Sequence, residues 1–286
     1  RDSVVLLHAL SRLALPNPLT ALHVHHGLSP HADAWEAHCR QLCAALGVEL
    51  CVARVSVGRD GGLGLEAAAR QARYRIFAES AAEVLLLAHH QGDQAETLLF
   101  NLLRGSGVTG AAAMPVERGL AGKRLLRPLL AVAPAELDAY ARLYGLSWVE
   151  DESNADTTLT RNFLRHEVMP LLAGRFPGVT HSLTQAAGHF AEAEILLGEL
   201  AASDWQNCAS GQGLRLPAAR QLSPQRLKNL LRWRLRQLGW QVPVAARLNE
   251  FVRQLQSAEP DRHPSLTLPQ GEMRVKRGVL LWNGIQ

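Results

Sequence analysis

Short apolar runs alternate with helical patterns over the first 150 residues, and this alternation constrains the fold more than any other feature. The pattern predicts strands at 19–25, 48–55, 84–88 and 125–130, with amphipathic helices between or after them. Such alternation favours right-handed crossovers and an α/β fold with a mostly parallel, doubly wound sheet. Because ligands bind beyond the carboxyl ends of the strands in such sheets, the polar residues that follow each strand are the candidate site.

Charge is distributed unevenly along the 286 residues. Residues 1–200 carry 17 Lys and Arg against 21 Asp and Glu, whereas residues 201–286 carry 13 against 5. Beyond residue 195 the pattern is mainly helical, and two strands are predicted around a turn at 270–271. We therefore predict domains at 1–195 and 196–286, the second a smaller, basic, mainly helical α+β domain. A basic segment of this kind either contacts a polyanion, above all nucleic acid, or is a solvated face.

Composition excludes several classes of protein. Mean hydropathy is −0.04, and no apolar run reaches the roughly 18 residues that span a bilayer, so we expect no membrane partner. Four cysteines without a Cys-x-x-Cys pair favour a reducing compartment, and we expect the cytoplasm. No secretory leader is visible, but the chain begins at Arg1 rather than Met, so we expect its natural N-terminus to lie upstream.

Two of the candidate segments lie early in the chain. Asp2 and Ser3 precede a helical pattern to Leu15; they either cap this helix or mark a phosphate site at its N-terminus, where Asp2 could hold Mg²⁺. His23, His25 and His26 end the first predicted strand. Packing or nucleotide contact is the favoured role of these histidines over zinc, because no Cys or acidic ligand stands at metal spacing nearby.

Two further segments carry charged side chains on helices. Glu66, Arg70 and Arg73 share one helix face, which is either a solvated ladder of ion pairs or a ligand face that follows a glycine-rich stretch at 58–64. Asp93 and Glu96 lie in the first turn of the helix after the third strand. These two carboxylates either stabilise the helix end or bind a cation such as a metal or an amine, and binding is favoured.

The order of these segments resembles the N-type ATP pyrophosphatases, whose PP-loop reads SGGxDS. Arg1, Asp2 and Ser3 match the last three residues of that loop, and Ser-Gly-Gly is absent from the chain. Within that superfamily the tRNA(Ile)-lysidine synthetase family is most similar, on the segments HVHHGLS, EAAARQARY, AHHQGDQAET, LLRGSG, RPLL, WVEDESN and RNFLRHEVMPLL. The resemblance is dense over residues 1–172 and thinner beyond. Gly92 stands where that family often has a second acidic residue.

The resemblance implies an ATP-dependent ligase that joins free L-lysine to the wobble cytidine of the isoleucine tRNA with a CAU anticodon. ATP adenylates the cytosine oxygen at position 2 with release of pyrophosphate, and the lysine ε-amine then displaces AMP. ATP and Mg²⁺ are the implied cofactors. The implied residues are Asp2, Asp93 and Arg161 for catalysis, Asp2, Ser3 and His25 for ATP, Asp2 for Mg²⁺, Arg70, Asp93 and Glu96 for lysine, and Arg104, Arg232, Arg234 and Arg236 for tRNA.

Two alternatives stay open at this point. One is another PP-loop tRNA-modifying enzyme; a thiolase with an iron–sulfur cluster would need Cys-x-x-Cys pairs that the sequence lacks. The other is a nucleotide- or RNA-binding protein without catalysis, which would not need the acidic and basic residues of the matched segments. The oligomeric state is also open, with a homodimer among the options.

Overall fold

The computed structural model describes residues 1–56, 65–257, 259 and 262–284, with the side chains of 65 and 66 left out. The glycine-rich stretch at 58–64 and the Glu66 side chain therefore lie outside the described residues. Two compact units make up the chain, Arg1–Ala191 and Glu192–Gln286. The predicted roles of 1–195 and 196–286 remain predictions.

The first unit alternates strands and helices in its first half and is helical in its second. Its elements are α1 (Asp2–Ser11), β1 (Thr20–His25), α2 (Ala32–Leu46), β2 (Glu49–Arg54), α3 (Leu65–Glu79), β3 (Val84–Leu86), α4 (Gln91–Leu103), α5 (Val108–Ala111), β4 (Glu117–Leu120), β5 (Lys123–Leu126), α6 (Pro134–Leu143), a 3-10 turn (Glu152–Ala155), α7 (Thr160–Phe163), a π-helical segment (Leu164–Val168) and α8 (Met169–Arg175). Helix α9 (Val179–Cys208) crosses from the first unit into the second.

Parallel pairing dominates the first unit, as predicted. β1 pairs with β2, and β3 pairs with β5, both in parallel. β4 was not predicted, and it adds to β5 as an antiparallel edge strand. The strand predicted at 125–130 ends at Leu126, because Arg127 begins a turn in which the Leu130 amide bonds to the Arg127 carbonyl and Pro128 has no N–H to donate.

The first helix differs from its prediction at both ends. It ends at Ser11 rather than Leu15, and its N-cap is Arg1, with no side-chain hydrogen bond to the cap. Asp2 and Ser3 lie inside the first turn, so their predicted capping role is wrong. An acidic side chain in this turn still interacts favourably with the positive end of the helix dipole.

The second unit packs helices against an antiparallel sheet. Its elements after α9 are β6 (Ala209–Ser210), β7 (Gly213–Arg215), α10 (Leu216–Ala219), α11 (Pro224–Gln237), α12 (Ala245–Ser257), β8 (Ser265–Leu268), β9 (Gly271–Lys276) and β10 (Val279–Gly284). The strand order is β6-β7-β10-β9-β8. The segment predicted as two strands forms three, because Arg277 and Gly278 both adopt positive φ and make a second tight turn.

The core of the second unit lies between α11, α12 and this sheet. Leu227, Leu230, Leu231 and Leu235 recur at helical spacing on α11 and are fully buried. Phe251 of α12 belongs to the same cluster. No helix among the described residues is long and apolar enough to cross a membrane.

Candidate active site

The candidate site lies at the N-terminus of α4, the helix that follows the parallel strand β3. His90 is the N-cap; its Nδ1 accepts a hydrogen bond from the Asp93 amide at 3.3 Å, and its own amide donates to Asp93 Oδ2 at 3.0 Å. This reciprocal pair is a capping box, with an imidazole in place of the usual hydroxyl. Asp93 Oδ1 takes no part in this capping box.

Arg165 binds both carboxylates of this helix turn. Its Nη2 lies 2.8 Å from Asp93 Oδ1, and its Nε and Nη2 each lie 2.8 Å from one oxygen of Glu96. The ion pair is bidentate, with Glu96 buried at 6% exposure and the Arg165 side chain 40% exposed. Sequence reasoning expected an external cation at these carboxylates, whereas the structure shows an arginine of the chain itself.

Sequence reasoning missed Arg165 although it stands in the quoted segment RNFLRHEVMPLL. It lies on the π-helical segment, four residues after Arg161. π-Helical turns are rare and frequently lie at functional sites. The recurrence of arginine at four-residue spacing was the available signal, but nothing local indicates a partner about 70 residues away.

Asp2 lies on the other side of His90. Its Oδ1 is 2.7 Å from Arg1 Nε, and its Oδ2 is 3.6 Å from His90 Nε2. The side chain is 33% exposed, and a carboxylate is the donor that Mg²⁺ takes together with water and phosphate oxygens. Oδ2, the oxygen that Arg1 does not bind, is the atom of Asp2 that fits the implied ion. Ser3 is exposed on the same first turn.

Arg161 reaches the same helix from α7, and its Nη2 lies 3.4 Å from Thr97 Oγ1. The structure thus brings Asp2, Asp93, Glu96 and Arg161 to one end of α4. Arg104 is at the other end of this 13-residue helix, roughly 20 Å away, with its guanidinium over Phe100. Arg104 is therefore not part of this cluster.

A second feature lies at the carboxyl ends of β1 and β2. A pocket of about 480 Å³ is lined by His25, His26, Gly27, Leu28, Arg54, Val55 and Ser56. This volume is in the range of small-molecule sites, which is consistent with the predicted nucleotide contact of His25. Burial is the main cause that lowers the pKa of His26, with Arg73 as a second cause.

A metal ion at His25 is disfavoured by its neighbours. His25, Asp33 and Glu36 have ligand atoms within 4.8 Å of one another. Glu36, however, already binds Arg40 and Arg54, each at 2.7 Å, so its charge is balanced by two arginines.

His89 interacts with Asp93 of the acidic turn and with three nearby arginines. Burial is the main cause that lowers its pKa to about 4; the Asp93 charge opposes the shift, and Arg127, Arg70 and Arg161 add to it. Arg127 Nε lies 3.2 Å from His89 Nδ1, where a neutral imidazole accepts the bond. His89 is therefore neutral at physiological pH.

Because His89 is neutral in the folded protein, we predict that it makes the free energy of unfolding depend on pH. Between pH 6.5 and about 4 the unfolded chain binds a proton at His89 that the folded protein does not, so stability falls as pH drops through this window. His89→Asn keeps an oxygen acceptor for Arg127 and removes this proton. The slope of unfolding free energy against pH is expected to flatten by at most about 1.4 kcal/mol per pH unit. Urea unfolding across the window, with His181→Asn as the control at an exposed position, measures it; equal slopes in wild type and His89→Asn would contradict it.

The predicted tRNA contacts of the second unit lie on α11. Arg234 Nη2 binds Gln212 Oε1 at 3.0 Å, and its Cζ lies 4.4 Å from the centroid of the Trp205 ring. Arg236 forms an ion pair with Glu194. Arg232 is half-buried on the same helix. Two of the three predicted contacts therefore already hold partners within their own unit.

Comparison with known proteins gives consistent family matches. Residues 1–172 match the model of the PP-loop domain, and residues 214–281 match that of the TilS substrate-binding domain. The chain is 50% identical to a tRNA(Ile)-lysidine synthase of Aromatoleum aromaticum, over 94% of this chain and 63% of the relative. The tRNA(Ile)-lysidine synthase of Alkalilimnicola ehrlichii is 50% identical over 96% of this chain and 62% of the relative. That of Pseudomonas aeruginosa is 46% identical over 98% of this chain and 66% of the relative.

One solved structure supports the fold. The U34-tRNA thiolase NcsA from Methanococcus maripaludis, with its [4Fe-4S] cluster, aligns with a TM-score of 0.53 and 17% identity. The alignment covers 67% of this chain and 69% of the thiolase. The present chain spans a little under two thirds of the length of the first curated relatives it matches. With the PP-loop model covering more than half of its residues, the chain belongs to the PP-loop family and is similar over most of its length to tRNA(Ile)-lysidine synthases.

Proposed function

We propose that the protein is an ATP-dependent ligase that forms lysidine at the wobble cytidine of the isoleucine tRNA with a CAU anticodon. The observation that carries the proposal is the convergence of Asp2, Asp93, Glu96 and Arg161 on one helix end in a PP-loop chain. Free L-lysine is the amine substrate, and AMP and pyrophosphate are the products. These substrates are found together in the cytoplasm, which we propose as its location.

The first step transfers AMP from ATP to the cytidine. The cytosine oxygen at position 2 attacks the α-phosphorus, and the bond to pyrophosphate breaks. We assign Asp2 and Ser3, in the first turn of α1, to the phosphates, and His25 to the nucleoside at the pocket. Mg²⁺ held by Asp2 would supply positive charge to the leaving pyrophosphate. Arg161 is our candidate for stabilising negative charge on the α-phosphate.

The second step forms the carbon–nitrogen bond. The lysine ε-amine attacks carbon 2 of the cytosine, the bond to the AMP oxygen breaks, and the nitrogen loses its proton. We assign Asp93 and Glu96 to the ammonium groups of lysine, with Arg165 as the group that holds these carboxylates in place. Arg70, whose Nη2 lies 3.3 Å from the Tyr74 hydroxyl, remains our candidate for the lysine carboxylate.

The second unit supplies the proposed tRNA contacts. Arg232, Arg234 and Arg236 lie on α11 of the basic segment, and the match of residues 214–281 to a substrate-binding model supports this role. Arg104 at the far end of α4 is the proposed contact from the first unit. A homodimer remains a prediction.

A labelled-lysine assay tests the proposal. Protein with Ser-Gly-Gly placed before Arg1 is mixed with ATP, Mg²⁺ and labelled lysine, and with either the isoleucine tRNA or a methionine tRNA. Label in the isoleucine tRNA alone is the expected result. Pyrophosphate release with a different acceptor, and no label, would support another PP-loop tRNA-modifying enzyme.

Two observations weigh against the alternatives. All four cysteines, Cys39, Cys43, Cys51 and Cys208, are free, and among the described residues no group of cysteines could hold an iron–sulfur cluster. This disfavours a cluster-dependent thiolase. A binding protein without catalysis would not need Asp93, Glu96 and Arg161 at one helix end, and absence of label and pyrophosphate in the assay would favour it.

A further inference from the structure

Three arginines from different parts of the chain gather on one tyrosine of the first unit. The guanidinium carbons of Arg70 on α3 and Arg118 on β4 each lie 4.9 Å from the centroid of the Tyr74 ring. Arg127, which follows β5, is 3% exposed and interacts electrostatically with Tyr74. We call Arg70, Tyr74, Arg118 and Arg127 the Tyr74 cluster.

Among the described residues, no carboxylate pairs with the arginines of the Tyr74 cluster. Within the described part of the chain, none of its three arginines forms an ion pair, although residues 1–200 as a whole carry more acidic than basic side chains. Desolvation lowers the pKa of Arg127, and the charges of Arg118 and Arg70 add to the effect. Like charges brought this close destabilise the fold unless an anion offsets them.

The neighbouring arginine on the same hairpin shows the contrast. Arg124 on β5 binds both oxygens of Glu117, at 2.7 and 3.1 Å. Glu117 and Arg118 are adjacent on β4, so their side chains point to opposite faces of the strand. On one face Glu117 and Arg124 neutralise each other, whereas on the other Arg118 lies opposite the buried Leu125 and has no ion-pair partner among the described residues.

Arg118 is the member of the cluster best placed to bind a ligand. Its side chain is half-buried on the edge strand β4. Its Nε is buried and has no hydrogen-bond partner among the described residues. Arg127, by contrast, donates hydrogen bonds to His89 Nδ1 at 3.2 Å and to the Pro115 carbonyl at 2.7 Å.

The cluster is continuous with the candidate active site. Arg127 contacts His89, the residue before the N-cap of α4, and the first turn of α4 carries Asp93 and Glu96. A nucleotide whose base reacts beside Asp93 and Arg161 carries a phosphate on either side of its sugar. We propose that Arg118, supported by Tyr74 and Arg127, binds a backbone phosphate of the RNA substrate next to the reacting nucleotide. This inference rests on the proposed function.

The chemistry of the cluster favours a phosphodiester. A guanidinium fork matches phosphate oxygens, and arginines interleaved with an aromatic ring are typical of nucleic-acid surfaces. The phosphates of ATP are assigned to the first turn of α1 and its nucleoside to the pocket at the ends of β1 and β2, whose lining residues do not include Arg118. The lysine carboxylate is a competing ligand of the same charge, and the test separates it.

The experiment compares Arg118→Gln with Arg124→Gln, which removes one charge from the other face of the hairpin. Affinity for the isoleucine tRNA is measured by filter binding over a salt series. The KM for lysine and the KM for ATP are measured from lysidine formation at saturating tRNA. Arg118→Gln is expected to weaken tRNA binding about tenfold at low salt and to reduce the log–log salt slope by about 1. Arg118→Lys should keep the slope, and Arg124→Gln should stay within about twofold of wild type.

Several results would overturn the inference. Equal losses in Arg118→Gln and Arg124→Gln would show a general charge effect. A raised KM for lysine or ATP with unchanged tRNA affinity would make the cluster a carboxylate or ATP site. Unchanged tRNA affinity in Arg118→Gln, with lysidine formation intact in wild type, would reject the phosphate site alone, whereas absent lysidine formation in wild type would reject the proposed function.

Discussion

Asp93→Asn is expected to reduce lysidine formation by about 10³-fold while the fold is kept. Asparagine has no negative charge to attract the lysine ammonium or to accept its proton. Its side-chain oxygen can still accept the hydrogen bond from the His90 amide, and Glu96 still binds Arg165 through two contacts. The loss should therefore appear mainly in turnover with labelled lysine, with only a small change in the thermal unfolding temperature from the lost contact between Arg165 and Asp93 Oδ1.

A matched control for Asp93→Asn is available on the β4–β5 hairpin. Glu117 is also a carboxylate bound by an arginine, but it lies on the surface and outside the site. Glu117→Gln is expected to leave lysidine formation within about twofold of wild type. Near-normal turnover in Asp93→Asn would remove Asp93 from the mechanism.

Arg165→Met is expected to destabilise the first unit by about 1–3 kcal/mol, less than for a fully buried pair because the Arg165 side chain is 40% exposed. The substitution keeps much of the side-chain volume but leaves Asp93 and the 6% exposed Glu96 with uncompensated negative charge. Arg165→Lys restores the charge without the two-pronged geometry, and an intermediate loss is expected. Urea unfolding combined with hydrogen exchange at the amides of α4 measures the loss where it arises.

Two further variants test whether the effect of Arg165→Met comes from its ion pairs with Asp93 and Glu96. Arg253→Met breaks the exposed pair with Glu250 on α12, which should leave the free energy of unfolding nearly unchanged because solvent screens the pair. Glu96→Gln added to Arg165→Met should recover part of the stability, because one unpaired charge is then removed. A loss for Arg165→Met no larger than that for Arg253→Met would mean that the buried pair does not stabilise the unit.

The order of elements in the first unit could be predicted because each depends on local patterns. The helix after β3 was expected to open at Asp93 and begins at Gln91, and the strand at 48–55 forms over Glu49–Arg54. Apolar periodicity and residues that end helices act over a few positions, so they are visible in the chain itself. The antiparallel strand β4 was missed because its four residues, Glu-Arg-Gly-Leu, show no apolar alternation.

Contacts between distant residues could not be predicted in the same way. Asp93 and Glu96 were identified as a pair of carboxylates, but their partner Arg165 follows 72 and 69 residues later, respectively. Tyr74 and Arg118 lie on different elements, and the sheet brings them together through the pairing of β4 with β5 and β5 with β3. In both cases local sequence does not determine which charged side chains meet.

The sequence by itself determined the family, the alternation of strands and helices, and the residue types available for phosphate, amine and RNA chemistry. The segments that follow the strands carry this information because, in a parallel sheet, ligands bind at the loops and helix ends beyond the carboxyl ends of the strands. Only the tertiary structure decided that Arg165 occupies the acidic turn, that His89 stays neutral beside it, and that Arg118 lacks a carboxylate partner among the described residues. Charge compensation, burial and pKa depend on neighbours in space, and those neighbours are set by packing of elements far apart in the chain.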